Sequence, residues 1–207
     1  MKFDQRTTRE MIQTIADTVI GSTDELTELD RAIGDADHGV NLERGFNAVL
    51  AKIVSISAQP IDAALSEVGK TLILSVGGAS GPLYGKLFAT IGQHLTNADE
   101  ITKERVVAAC EQAISVIKTL GRSDVGHKTM LDVLVPSLDQ LRMANGVSSV
   151  RDVRKRAHEA AVETIPMIAR RGRASFLGER SQGHMDPGAR SSELIVAAVC
   201  DFLETRQ

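Results

Sequence analysis

Three stretches of the 207-residue sequence crowd together residue types that do chemistry. The first runs Asp30-Arg31-Ala32-Ile33-Gly34-Asp35-Ala36-Asp37-His38-Gly39-Val40-Asn41 and packs three carboxylates into eight residues. Carboxylates this close repel one another, and a hard divalent cation such as Mg²⁺, which takes oxygen ligands and keeps room for waters and phosphate oxygens, accounts for their coexistence. Asp and Gly are also ordinary turn formers, so a solvated acidic turn accounts for the same pattern; the adjoining His38 and Asn41 weigh toward a ligand. The stretch is too short for an EF-hand and lacks its distal Glu.

The second stretch, Ser75-Val76-Gly77-Gly78-Ala79-Ser80-Gly81-Pro82-Leu83-Tyr84-Gly85, is a glycine-rich turn running into a helix. Free amides at a helix start attract phosphate, and glycine lets a ligand come close to the backbone. Without a Lys-Ser/Thr ending or a preceding strand it is neither a Walker A loop nor a dinucleotide fingerprint. Close helix packing through small residues explains it equally well. The third, Arg171 to Gly188, is polar and long for a connection inside a compact domain, which favours function over mere linkage. Its arginines, Arg173 among them, are suited to offsetting phosphate charge.

The elements that must position these stretches are helices. Apolar residues recur every three to four positions over most of the chain, and strand-like alternation is nearly absent. The pattern predicts eight helices: Met11 to Ile33 with an irregularity at Gly21, Leu42 to Ile56, Ile61 to Leu72, Leu83 to Leu95, Val106 to Leu120, Leu131 to Leu141, Val150 to Ile168 and Leu194 to Leu203. Thr129 is expected to cap the sixth, and Pro136 and Pro166 to kink the sixth and seventh. Many of the glycines fall between helices together with Asp, Ser, His and Arg, as in loops that bind something.

Composition narrows the partners. A formal net charge of −3 and the lack of any basic block argue against electrostatic capture of nucleic acid or an anionic membrane. Cys110 and Cys200 lie in apolar stretches and read as small core residues in a reducing compartment. The first twenty residues lack a continuous apolar core, and the longest apolar run, Leu194 to Cys200, is far too short to span a bilayer. A single domain over 1–207, cytoplasmic in location, is the expectation.

Together, G-D-A-D-H-G-x-N, S-V-G-G-A-S-G-P-L-Y-G and G-R-A-S-F-L-G-E-R-S-x-G-H-x-D-P-G resemble the ADP-binding L subunit of dihydroxyacetone kinase, in order and over nearly the whole chain. The resemblance implies an all-α fold, an eight-helix antiparallel up-and-down bundle closed into a barrel, with the nucleotide at one end. Carried over, it puts two Mg²⁺ ions on Asp30, Asp35 and Asp37. ADP or ATP then falls on His38, Gly39, Val40, Asn41, Ala79, Ser80, Gly121, Met130, Arg173, Asp186, Pro187 and Gly188, with Arg173 also catalytic. The stretch Gly126-His127-Lys128-Thr129-Met130 departs from the family, which commonly has Asp in place of His127. That change is expected to exchange an acceptor for a titratable donor near the adenine and so to alter nucleotide affinity or exchange.

The resemblance further implies a divided reaction. A separate K subunit holds the ketone as a covalent adduct on its own histidine, while the L subunit supplies the phosphoryl group from bound nucleotide. In the phosphotransferase-system version a phosphohistidine carrier rephosphorylates ADP in place; in the ATP-dependent version the nucleotide exchanges. A phosphoryl-donor subunit, active only with its K subunit and served by a phosphocarrier, is therefore expected, with a homodimer left open. The alternatives are the L component of an ATP-dependent kinase for a related short ketose such as erythrulose, and a nucleotide-loaded regulatory adaptor. Intact Asp30, Asp35, Asp37 and Arg173 favour catalysis.

Overall fold

The structure is a computed structural model describing residues 1–96, 100–143 and 148–206. These residues form ten α-helices and one 3-10 segment, without strands. The helices are α1 (Gln5–Gly21), α2 (Thr23–Ile33), α3 (His38–Ala51), α4 (Ile53–Ser57), α5 (Ile61–Ser75), α6 (Ser80–His94), α7 (Lys103–Gly121), α8 (Leu131–Met143), α9 (Ser148–Glu163) and α10 (Pro187–Glu204), with the 3-10 segment over Arg173–Ser181.

The packed pairs run in cyclic order, α1 on α3, then α5, α6, α7, α8, α9, α10 and back to α1. Eight helices thus make the ring, and α2 and the short α4 extend it at breaks in the first two predicted helices. The irregularity at Gly21 is a complete break, with Ser22 standing between α1 and α2. The predicted second helix likewise divides at Lys52.

The ring encloses the apolar stripes read from the sequence, with Leu26, Leu42, Phe46, Ile56, Leu72, Tyr84 and Ile117 almost wholly buried. Phe46 and Phe88 meet edge to face with ring centroids 6.4 Å apart. Burying each such large apolar side chain is worth about 1.5–3 kcal/mol. Close approach of α5 and α6 depends on small residues: a Cβ on Gly69 would lie 2.4 Å from the Gly85 carbonyl oxygen.

Pro136 lies inside α8, which continues through it as one helix. Two sequence expectations change. Pro166 does not kink the seventh helix; α9 ends at Glu163, and Ile165 and Ile168 belong to the segment beyond. The last helix begins at Pro187, seven positions before Leu194, because Asp186 caps it and proline is well suited to the first helical position. No helix among the described residues is long and apolar enough to cross a membrane.

Candidate functional site

One end of the ring gathers the end of α2, the starts of α3, α6, α8 and α10, and the end of α7 around a cleft of about 270 Å³. The acidic turn forms one wall. Asp30, Asp35 and Asp37 each bring a carboxylate oxygen within 4.8 Å of the others. Asp30 is buried and fixes the turn itself, since its Oδ2 accepts from the Asp37 amide at 2.9 Å and the His38 amide at 3.2 Å. Gly34 makes this possible: a Cβ there would stand 2.0 Å from Asp30 Oδ1. Ala36 between the outer carboxylates takes the left-handed conformation at φ 61°, which costs a residue with a Cβ of order 1 kcal/mol or more.

Opposite stands the glycine-rich turn. Gly78, at φ 63°, reverses the chain after α5, and Ala79 and Ser80 lead into α6. Ser80 Oγ meets Nδ1 of buried His38 at 3.0 Å, and His38 Nε2 meets Ser191 Oγ at 2.9 Å. Tyr84, the one tyrosine of the chain, continues this line: its hydroxyl lies 2.6 Å from Ser191 Oγ and 2.9 Å from Ser192 Oγ and donates to the Gly188 carbonyl at 3.0 Å. Burial pushes the Tyr84 hydroxyl up to about 12, so it stays protonated, and burial lowers the His38 imidazole against the opposing pull of Asp30 and Asp37.

The third wall is the segment before α10. Arg173 opens the 3-10 segment with 71% of its side chain exposed, and its Nε lies 3.0 Å from Asp35 Oδ2. Asp186 is buried at the start of α10, where its Oδ2 accepts from the Ala189 amide at 2.7 Å. Burial, reinforced by nearby Asp132, pushes the Asp186 carboxyl up to about 7 despite that amide and the Lys128 charge. Asp132 holds the neighbouring turn, accepting from the amides of Gly126 at 2.5 Å and Thr129 at 2.7 Å. Thr129 answers as a cap, its Oγ1 accepting from the Leu131 amide at 3.2 Å, a reciprocal arrangement in the manner of a capping box.

A cleft with oxygen donors at one wall, helix starts at another and an arginine across from them suits a metal-bound phosphate. The donor set fits Mg²⁺, and the guanidinium already beside Asp35 shows that this wall accepts a cation. Residues 32–201 match the family model described as the DAK2 domain. The chain belongs to the DAK2-domain family. The ADP-binding subunit DhaL of the PEP-dependent dihydroxyacetone kinase of Escherichia coli is 43% identical over 171 residues, which are 80% of this chain and 81% of that one. The corresponding subunit of kinase 2 of Listeria innocua is 35% identical over 188 residues, 87% of each chain. Among solved structures, the dihydroxyacetone kinase of C. freundii in complex with AMP-PNP and Mg²⁺ superposes with a TM-score of 0.73 at 23% identity, over 97% of this chain and 34% of that one. This likeness establishes the shared fold, and the chain spans about a third of the length of that kinase.

The expected site residues divide. Asp30, Asp35, Asp37, His38, Ala79, Ser80, Gly121, Met130, Arg173, Asp186, Pro187 and Gly188 all line the cleft. Gly39, Val40 and Asn41 do not. Gly39 is packed against α2, where a Cβ would meet the Thr23 carbonyl oxygen at 2.1 Å; Val40 is half exposed; Asn41 accepts from Arg44 at 2.7 Å. In the first turn of α3 the His38 amide is held by Asp30 Oδ2 and the Asn41 amide by the Asp37 carbonyl at 2.9 Å. His127 is also absent from the lining, and its Nδ1 accepts from the Asp124 amide at 3.1 Å. Its Nδ1 therefore serves the turn as an acceptor, which leaves Nε2 as the donor nitrogen of the ring. Sequence reading passed over Lys128, Tyr84 and Ser191; an odd polar residue inside an apolar stripe, as Tyr84 is among Leu83 and Leu87, was the available signal.

Proposed function

We propose that the protein is the ADP- or ATP-binding, phosphoryl-donor subunit of a dihydroxyacetone kinase. It passes a phosphoryl group from nucleotide to a short ketose held on a separate K subunit, and a phosphohistidine carrier of the phosphotransferase system restores the nucleotide. The observation that carries this reading is the meeting of Asp30, Asp35, Asp37, the Gly78–Ser80 turn and Arg173 around one cleft. Support comes also from the relatives in Escherichia coli and Listeria innocua, which are ADP-binding subunits of PEP-dependent dihydroxyacetone kinases.

Mg²⁺ held by Asp30, Asp35 and Asp37 would neutralise those carboxylates against the phosphates. The apolar side of the cleft, with Leu83, Ile117, Met130 and Leu131, suits a base; the start of α6 at Ser80 and the amides of α3 suit phosphate oxygens. His38 presents its ring through fixed contacts on both nitrogens, so it orients Ser80 without needing to change charge. Arg173, exposed and paired only at the surface with Asp35, is free to turn to the phosphoryl oxygens as it transfers. The phosphorus–oxygen bond to the nucleotide breaks, a bond to the ketose hydroxyl oxygen forms, and the hydroxyl proton leaves to a base.

Pure protein with Mg²⁺, ATP and dihydroxyacetone is expected to form no dihydroxyacetone phosphate, and addition of a K subunit to give it. Product formed by the protein alone would overturn the divided-kinase reading.

A further inference from the structure

The ammonium of Lys128 is buried, with 1% of the residue exposed, yet its partners are backbone carbonyls. Nζ donates to the carbonyl oxygens of Ser181 and His184 at 2.6 Å each and of Met167 at 3.1 Å, with that of Ile165 at 3.5 Å. An ammonium has three N–H groups, so all three are engaged and the fourth oxygen shares one. The residue also takes the left-handed conformation at φ 60°, which a lysine occupies only at a cost. A glycine would adopt this turn more cheaply, so the side chain is what the position requires.

The four carbonyls fall on both sides of Arg173 in the chain. Ile165 and Met167 precede it; Ser181 and His184 follow it. Nζ thus closes the ends of one loop. Other contacts reinforce the closure: the Gly183 amide donates to the Ile165 carbonyl at 2.9 Å, and the Ala169 amide to Ser181 Oγ at 2.9 Å. The Arg170 amide bonds the His127 carbonyl at 3.1 Å, next to Lys128 itself. The loop so closed carries Arg173 to Asp35 at the cleft and ends two residues before Asp186.

We propose that Lys128 is a positioning residue: its ammonium clamps the 165–184 loop to the turn before α8 and so sets Arg173 for phosphoryl transfer. This rests on the function proposed above. Without the charge, the four carbonyls lose their shared donor, and the loop loosens while the apolar ring, which Lys128 does not hold, stays formed. Displacement of a reacting group by an ångström can cost about 10² in rate, so the effect falls on turnover more than on ADP affinity.

The test compares Lys128→Met, Arg173→Ala and the double variant, each with Mg²⁺, ADP, a phosphoryl donor and saturating K subunit. Lys128→Met should keep wild-type helicity, lower kcat by roughly 10² and speed hydrogen exchange at Ala169, Arg170 and Gly183 with the core helices unchanged. Since Lys128 acts through Arg173, the double variant should be no slower than Arg173→Ala alone, a lack of additivity that loss of packing would not produce. If Lys128→Met loses its helical signal, Lys128→Ala is measured with n-propylammonium, which replaces the missing stem and charge; recovered loop protection and turnover support the clamp, and no recovery overturns it. Wild-type kcat or wild-type loop protection in Lys128→Met, or additive losses in the double variant, would also overturn it, leaving the kinase reading in place. Wild-type turnover in Arg173→Ala would remove Arg173 from the reaction, and this inference with it, while leaving the kinase reading in place; no turnover by the wild-type protein with its K subunit would instead remove the kinase reading.

Discussion

Arg173 Nε lies 3.0 Å from Asp35 Oδ2, so the arginine of the loop before α10 and a carboxylate of the turn after α2 are ion-paired across the mouth of the cleft. Both side chains are substantially solvated, at 71% and 36% exposure, and such pairs add at most about 1 kcal/mol to stability. The contact therefore locates Arg173 without tying it down. Arg173→Ala should leave the melting temperature unchanged and lower kcat by roughly 10² or more, with a smaller change in ADP binding, if the guanidinium meets charge that develops during transfer. Steady-state rates with saturating K subunit decide; unchanged turnover removes Arg173 from the reaction.

Asp37 differs from Asp30 in what it holds. Asp30 anchors two backbone amides, so its loss would disturb the turn, whereas the exposed Asp37 carboxylate makes no comparable contact among the described residues. Asp37→Ala should therefore keep the helical fold and lose most Mg²⁺-dependent ADP binding, because phosphate would then face carboxylates with less metal between them. Calorimetry with ADP and Mg²⁺ checks this. Wild-type affinity in the variant would make the acidic turn a solvated turn and no more.

Asp186 gives the cleft a pH dependence of known sign. Its carboxyl is pushed up to about 7, above an unfolded value near 3.8, so the folded protein binds this proton more tightly than the unfolded chain does. The stabilisation from that proton is complete below about pH 4 and is lost as pH rises through about 7. Wild-type stability should accordingly fall relative to Asp186→Asn between those limits, by a few kcal/mol at most, since Asn can still accept from the Ala189 amide but does not titrate. Urea midpoints of the two proteins across this range test it. A constant difference between them would show that Asp186 is ionised throughout.

The ring was legible because apolar spacing alone specifies amphipathic helices, and Leu42, Phe46 and Val49 or Leu65, Val68 and Leu72 fall on the buried faces that their spacing requires. Boundaries were less so. Asp186 as a cap and Pro187 as a first helical residue lie outside the apolar stripe, so the first two turns of α10 read as loop. The acidic and glycine-rich turns announced themselves by composition, but close packing of Gly39 against Thr23 is a tertiary fact that no local pattern carries. Lys128 was hidden for the same reason. A lysine in a polar turn reads as solvated, and only the folded 165–184 loop, which returns to it from far along the chain, makes it buried.

The last prediction concerns how the nucleotide is renewed. A diphosphate bound as proposed, between the acidic wall and the helix starts with Arg173 over the mouth, would have to break several contacts together to escape. Such a ligand would dissociate slowly, and residence time is where affinity differences chiefly reside. With the K subunit, the ATP-loaded protein should give one turnover per bound nucleotide and then stall until a phosphohistidine carrier is added, and ADP should copurify with the protein. The check is single-turnover kinetics with radiolabelled ATP, with and without the carrier. Rapid exchange of label into the purified protein and sustained turnover without a carrier would decide for the ATP-dependent form of the reaction, while leaving the acidic turn and Arg173 in their proposed roles.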